Sequence, residues 1–83
     1  MLKILLDKQP RKFLQKQEKS VQLRIYNALQ GLKEIPPVGD IRKMQGRQDS
    51  YRLRVGTYRA IYTIDYVSET VHILTIDNRG SIY

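Results

Sequence analysis

Tyr51-Arg52-Leu53-Arg54-Val55-Gly56-Thr57-Tyr58-Arg59-Ala60-Ile61-Tyr62-Thr63-Ile64-Asp65 contains two runs of strand character joined by a two-residue break. Tyr51, Leu53 and Val55 alternate with Arg52 and Arg54, the period of a strand with one buried face. Gly56-Thr57 is a Gly-X pair, the signature of a two-residue type II′ turn. The run from Tyr58 to Asp65 is rich in Tyr, Ile and Thr and forms the returning strand. Such a turn fixes the register. Val55 faces Tyr58, Leu53 faces Ala60 and Arg54 faces Arg59, with Arg52 on the same face as Arg54. Like charges directly opposed cost about 0.2–1 kcal/mol. Asp65 and Asp77 are the acids a structural neutralisation would draw on, although neither is a sequence neighbour of the arginines. The alternative counter-charge is a phosphate, whose oxygens suit the planar guanidinium fork.

Working outward, residues 2–6 are apolar apart from Lys3 and predict a first strand. Pro10 suits a first helical turn, with Phe13 and Leu14 as that helix's core contacts. Ser20 is the expected N-cap of a second helix. Val21, Ile25, Ala28, Leu29 and Leu32 then form its apolar stripe, and Pro36-Pro37 is expected to end it. Residues 41–44 predict a short strand. Residues 71–76, Val-His-Ile-Leu-Thr-Ile, predict a strand interior to the sheet, and Asp77-Asn78-Arg79-Gly80 is expected to turn. The fold class is α+β: a small antiparallel sheet packed on an N-terminal helical hairpin, with residues 1–83 as one domain.

Charge is the strongest compositional signal. The chain has 83 residues, a net charge of +7 and a pI near 9.9. Between Arg42 and Arg59 lie six cations (Arg42, Lys43, Arg47, Arg52, Arg54, Arg59) and one acid, Asp49, a local excess of five. A solvated basic surface is the plain reading, and a polyanion partner is the sharper one. With no cysteine and a single histidine, His72, the sequence offers neither a disulfide nor a thiolate or histidine-cluster metal site. No metal and no other cofactor is expected. No apolar run reaches the roughly 20 residues of a membrane span, and the first seven residues do not form a secretory signal. A cytoplasmic address is the default.

The chain resembles the RelE/ParE toxin superfamily over nearly its whole length, in its RelE-type messenger RNA interferase branch. The resemblance runs through Pro36-Pro37-Val38-Gly39-Asp40, Met44-Gln45-Gly46, the residues 51–62 run and Asp77-Asn78-Arg79-Gly80-Ser81-Ile82-Tyr83. The most specific combination is Tyr-Arg-Leu-Arg-Val-Gly-x-Tyr-Arg with the closing Arg-Gly-x-x-Tyr. The resemblance implies an antiparallel sheet on two helices. It also implies a metal-independent endoribonuclease that cuts messenger RNA in the ribosomal A site, and a cognate antitoxin that silences it. Basic residues of the nuclease branch match Arg52, Arg54, Arg59 and Arg79, and a tyrosine near the C-terminus matches Tyr83.

The chemistry implied is attack of a ribose 2′-OH on the adjacent phosphorus, which needs charge stabilisation, a base and an acid. Arg59 and Arg79 are the candidates for the scissile phosphate. Arg52 and Arg54 assist or position the neighbouring backbone, and Arg42, Lys43 and Arg47 extend the RNA contact. Arginine does not release its proton, and the best-known relatives carry lysine where Arg52 and Arg54 stand. That leaves Tyr83 as proton carrier or as a stacking platform. His72 is read as a partly buried sheet residue, and Asp77 as a group orienting Arg79. Tyr26 is assigned to a helix flank. Tyr51, Tyr58 and Tyr62 are assigned to core packing, each with a hydrogen-bonded hydroxyl. Two other readings remain open: a ParE-like poison of DNA gyrase, and a catalytically silent RNA-binding relative.

Overall fold

In the computed structural model, which describes residues 2–44, 46 and 49–78, the predicted hairpin forms in the expected register. The elements in chain order are β1 (Lys3–Leu6), α1 (Lys8–Gln15), α2 (Lys19–Gln30), a 3-10 turn (Gly31–Lys33), β2 (Asp40–Lys43), β3 (Ser50–Val55), β4 (Tyr58–Asp65) and β5 (Thr70–Asn78). The sheet order is β1-β5-β4-β3-β2. β2 to β5 pair antiparallel, as expected, and β1 adds to β5 in parallel, so the sheet is mixed. The αα hairpin carries the chain from β1 at one edge of the sheet to β2 at the other. Gly56 has φ +62° and Thr57 is not in the positive-φ region, as a type II′ turn demands.

One face of the sheet carries both helices. Leu53, Ala60, Tyr62, Val71, Ile73 and Ile76 pack there against Ile25, Leu29 and Leu32 in one buried cluster. Phe13 meets Tyr58 edge-on with ring centroids 6.1 Å apart, and Tyr51 stacks on Tyr62 at 5.5 Å. A bulge lies where Ile61 pairs with Thr75 but Tyr62 pairs with Ile73. The extra residue, Leu74, lets Ile73 and Ile76 both face the core although they are three apart. β5 continues through Asp77 and Asn78, so the turn expected there does not begin before residue 79.

Both boundaries of α2 differ from expectation. The N-cap of α2 is Glu18, not Ser20, and it makes no side-chain cap bond. The Gln22 N–H donates to the Glu18 carbonyl at 2.9 Å, which sets the helix start, and the Gln22 amide donates to the Leu14 carbonyl at 2.7 Å, closing the end of α1. α2 ends at Gln30, ahead of Pro36-Pro37, where Gly31 packs against the Val38 carbonyl and a Cβ would collide. No helix among the described residues is long and apolar enough to cross a membrane.

Tyr62 is fully buried, and its hydroxyl has no hydrogen-bond partner among the described residues, contrary to the sequence expectation. Burial, helped by Tyr51 and Tyr66, pushes its pKa up to about 12. The unfolded phenol ionises near ~10, so this contribution is intact below that pH and is lost as pH rises from there toward the folded value. Tyr62→Phe removes an unpartnered hydroxyl and should change stability at neutral pH by no more than about 1 kcal/mol. It should also flatten the alkaline loss of stability by up to ~1.4 kcal/mol per pH unit, as measured by urea denaturation across that window.

Candidate nucleic-acid interface

The same alternation that buries Leu53 and Ala60 turns their neighbours to the opposite face, which carries no helix among the described residues. Pairing aligns Asp40 with Arg54, Arg54 with Arg59, and Arg59 with Asp77, giving one row across β2, β3, β4 and β5. The next row is Arg42, Arg52, Ile61 and Thr75. Arg52, Arg54 and Arg59 therefore share one face, with Arg42 directly beside Arg52. Lys43 pairs with Tyr51 and belongs to the other face, so the sheet does not bring it to this cluster. Arg47, Arg79 and Tyr83 lie outside the described residues.

Two of the arginines have carboxylate partners. Arg54 Nε donates to Asp40 Oδ2 at 2.8 Å, and Arg59 Nη2 lies 3.6 Å from Asp77 Oδ2. The opposed pair is thus flanked by an acid at each end of its row. Asp77 was a foreseen neutraliser. Asp65 is not one, because its carboxylate accepts the Val67 and Ser68 N–H groups, and the Ser68 bond leads in holding its pKa low. Asp40 was missed. It lies two residues before the basic window, and only the β2–β3 register reveals its position.

The two rows still hold four arginines against two aspartates, an excess of two. Arg52 has no ion pair among the described residues. The Arg54–Asp40 pair is exposed, with side chains 65% and 47% accessible, so it stabilises by only ~0–1 kcal/mol and yields readily to a phosphate. At 3.6 Å the Arg59–Asp77 contact is too long for a hydrogen bond. Arg59 Nε is buried and unpartnered among the described residues.

His72 lies on this face but at its far end, aligned with Thr63 and Leu5. It is five residues from Asp77, roughly 16 Å along the strand. Its Nε2 is 3.2 Å from Asp7 Oδ1, and the half-exposed pair joins β5 to the start of α1. The sheet-residue reading of His72 agrees with this placement. Among the described residues, no group of three His, Cys, Asp or Glu side chains is arranged to hold a metal ion.

Two helices on one face of a five-stranded sheet, with a cationic opposite face, define a small α+β domain built to meet an anion. The family model described as the ParE toxin of type II toxin–antitoxin systems, parDE, matches residues 2–83, and the chain belongs to that family. The archaeal RelE–RelB complex from Pyrococcus horikoshii OT3 is similar with a TM-score of 0.80 at 30% identity, covering 95% of this chain and 96% of that one. The RelBE2 toxin–antitoxin complex of Mycobacterium tuberculosis gives 0.76 at 25% identity, covering 94% and 98%. The isolated E. coli RelE toxin shares the fold at TM-score 0.80 and 19% identity, covering 94% and 84%. No curated protein matches by sequence.

Neutralising one end of the charged row tests its electrostatics. Asp40→Asn should alter stability by less than about 1 kcal/mol, since the pair is exposed. It should also tighten binding of a short single-stranded RNA several-fold at low salt, with the gain fading as salt rises. Fluorescence anisotropy over a salt series provides the measurement.

Proposed function

We propose that this toxin is a ribosome-dependent, metal-independent endoribonuclease that cuts messenger RNA and so inhibits translation. The observation that carries this reading is the grouping of Arg42, Arg52, Arg54 and Arg59 on one face, which among the described residues carries no helix and more cationic than anionic charge. Such a face suits an RNA backbone. In the reaction, the ribose 2′-OH loses its proton and its oxygen bonds to the adjacent phosphorus. The bond from phosphorus to the 5′ oxygen breaks, leaving a cyclic phosphate and a 5′-OH. Arg59 and Arg79 grip the scissile phosphate as charge grows on the phosphorane. Arg52 and Arg54 position the neighbouring backbone, Arg42 and Arg47 extend the contact, and Tyr83 carries the proton; Lys43, on the other face of the sheet, takes no part.

With no strong base of its own, the protein relies on the ribosome to align the attacking oxygen with the leaving group. Alignment of this kind supplies up to ~7–11 kcal/mol in favourable intramolecular cases. The partner that silences it is a cognate antitoxin covering the arginine face; similar solved toxins are complexes with RelB. Toxin, antitoxin and ribosome meet in the cytoplasm. A second reading, a gyrase poison that is not a nuclease, is favoured by the ParE description of the matching family model.

Primer-extension mapping of cellular messages after induction separates the two. Codon-spaced cuts are expected; DNA breaks with intact messages would establish the gyrase reading instead. On programmed ribosomes, Arg59→Ala and Arg79→Ala should each lower the single-turnover cleavage rate by ~100- to 1,000-fold. Arg52→Ala and Arg54→Ala should mainly weaken binding and its salt dependence. Tyr83→Phe should lose most activity while binding persists, and full activity in that variant would remove Tyr83 as the proton carrier.

A further inference from the structure

The two edges of the sheet are guarded unequally. β2 carries charge at Asp40, Arg42 and Lys43, the usual protection of an edge strand against pairing with another chain. β1, at the other edge, is Lys3-Ile4-Leu5-Leu6, apolar at all but its first position. Its backbone is half used. The Lys3 N–H donates to the Glu69 carbonyl and the Asp7 N–H to the Ile73 carbonyl, so Lys3, Leu5 and Asp7 turn their peptide groups toward β5. Ile4 and Leu6 alternate with them and turn theirs outward. The Lys33 carbonyl accepts the Leu2 N–H and closes the edge above residue 3, and α1 begins at Lys8. The open window is therefore residues 3–7, of which Asp7 is still extended.

This window is complementary to itself. Set antiparallel to a second copy with Leu5 opposite Leu5, Ile4 meets Leu6 of the other chain and Lys3 meets Asp7. Each Ile4–Leu6 pair has its outward N–H and C=O facing those of its partner, as a hydrogen-bonded antiparallel pair requires. Each Lys3 meets a carboxylate whose Oδ1 is already near His72 and whose Oδ2 has no printed contact among the described residues. Leu5, 51% accessible in the single chain, is covered by its counterpart on the axis. On the helix side a groove of about 410 Å³ runs along β1 beneath α2, lined by Ile4, Leu6, Leu14, Tyr26 and Leu29. It can take the Ile4 and Leu6 side chains of a second β1.

We propose that β1 is a homodimerisation edge, pairing antiparallel with β1 of a second copy about Leu5. Residues opposite each other in an antiparallel pair share a face, so the two arginine faces lie on the same side of one continuous sheet. That gives a bivalent cationic surface for a single RNA strand. The pairing itself is independent of the nuclease chemistry. The +7 charge of each copy opposes association and the contact is short, so the dimer is weak, in the range of tens of micromolar.

Sedimentation equilibrium of the full chain over a concentration series, with amide hydrogen exchange read by NMR, tests this. The mass should rise from the 9.8 kDa monomer toward twice that value. Protection of the Ile4 and Leu6 amides should rise with it, while those of Lys3 and Leu5, already bonded to β5, should change little. Lys3→Glu lowers the net charge and on charge alone would tighten association. If β1 pairs with itself, this variant must instead weaken the dimer about tenfold, since it sets two acids against each other at both ends. Adding Asp7→Lys restores the opposite charges and the original net charge, and should return the affinity to within about threefold of the parent. An unchanged melting temperature of the dilute variants separates lost pairing from lost folding. A monomer even at millimolar concentration would overturn the proposal. So would a dimer that Lys3→Glu leaves intact, which would place the contact elsewhere. Monomer at every concentration, with Ile4 and Leu6 protected only by an added extended peptide, would assign the edge to a different protein.

Discussion

A two-residue turn at Gly56-Thr57 determines which side of the sheet each residue of β3 and β4 occupies. Gly56 supplies the positive φ that lets the strands return without splaying. Leu53 and Ala60 then meet on the helix side, 1% and 2% accessible, while Arg54 and Arg59 meet on the other. A slip of one residue would carry the arginines into an apolar core and the leucine into water. Burying an unpaired charge is far costlier than any turn preference. Hydrophobic pattern and turn chemistry therefore specify one register together.

The charged face follows from that register. An arginine pair set side by side would repel, and the flanking strands place Asp40 and Asp77 at the ends of the same row. The acids relieve the repulsion without cancelling the field, because the neighbouring Arg42–Arg52 pair has no carboxylate in its row. A face of this kind is stable when empty and attractive to an anion when one arrives. Its attraction comes from exposed groups and is screened by salt.

Legibility in the sequence depended on how local the determining interactions are. β3 and β4 were readable to the residue because one face is buried and the turn is two residues long. β5 was harder. Its bulge puts Ile73 and Ile76 on the same face, so the alternation breaks and the run looks apolar throughout. The parallel seat of β1 beside β5 was not readable, since it depends on how the helical hairpin crosses the sheet. Ser20 has the right chemistry for a cap, yet the first helical bond runs from the Gln22 N–H to the Glu18 carbonyl, two residues earlier. Three site arginines were placed on their common face by pattern alone. Asp40 was not, because a cross-strand neighbour is close in space without being close in sequence.

β1 pairs with β5 only as far as Ile73, and the Asp7 N–H donates to the Ile73 carbonyl just beyond. At Ile76 a single side chain from α1 takes over: Gln9 Oε1 accepts the Ile76 N–H and Gln9 Nε2 donates to the Ile76 carbonyl, each at 2.8 Å. One amide thus imitates the peptide group of an absent strand. Position 9 lies on a helix, but its identity is dictated by a neighbouring backbone that wants a donor and an acceptor together. Glutamate offers no donor and lysine no acceptor, so a substitution that looks mild by helix propensity would leave the strand edge half-satisfied. The grammar of a helix residue is here written by a sheet.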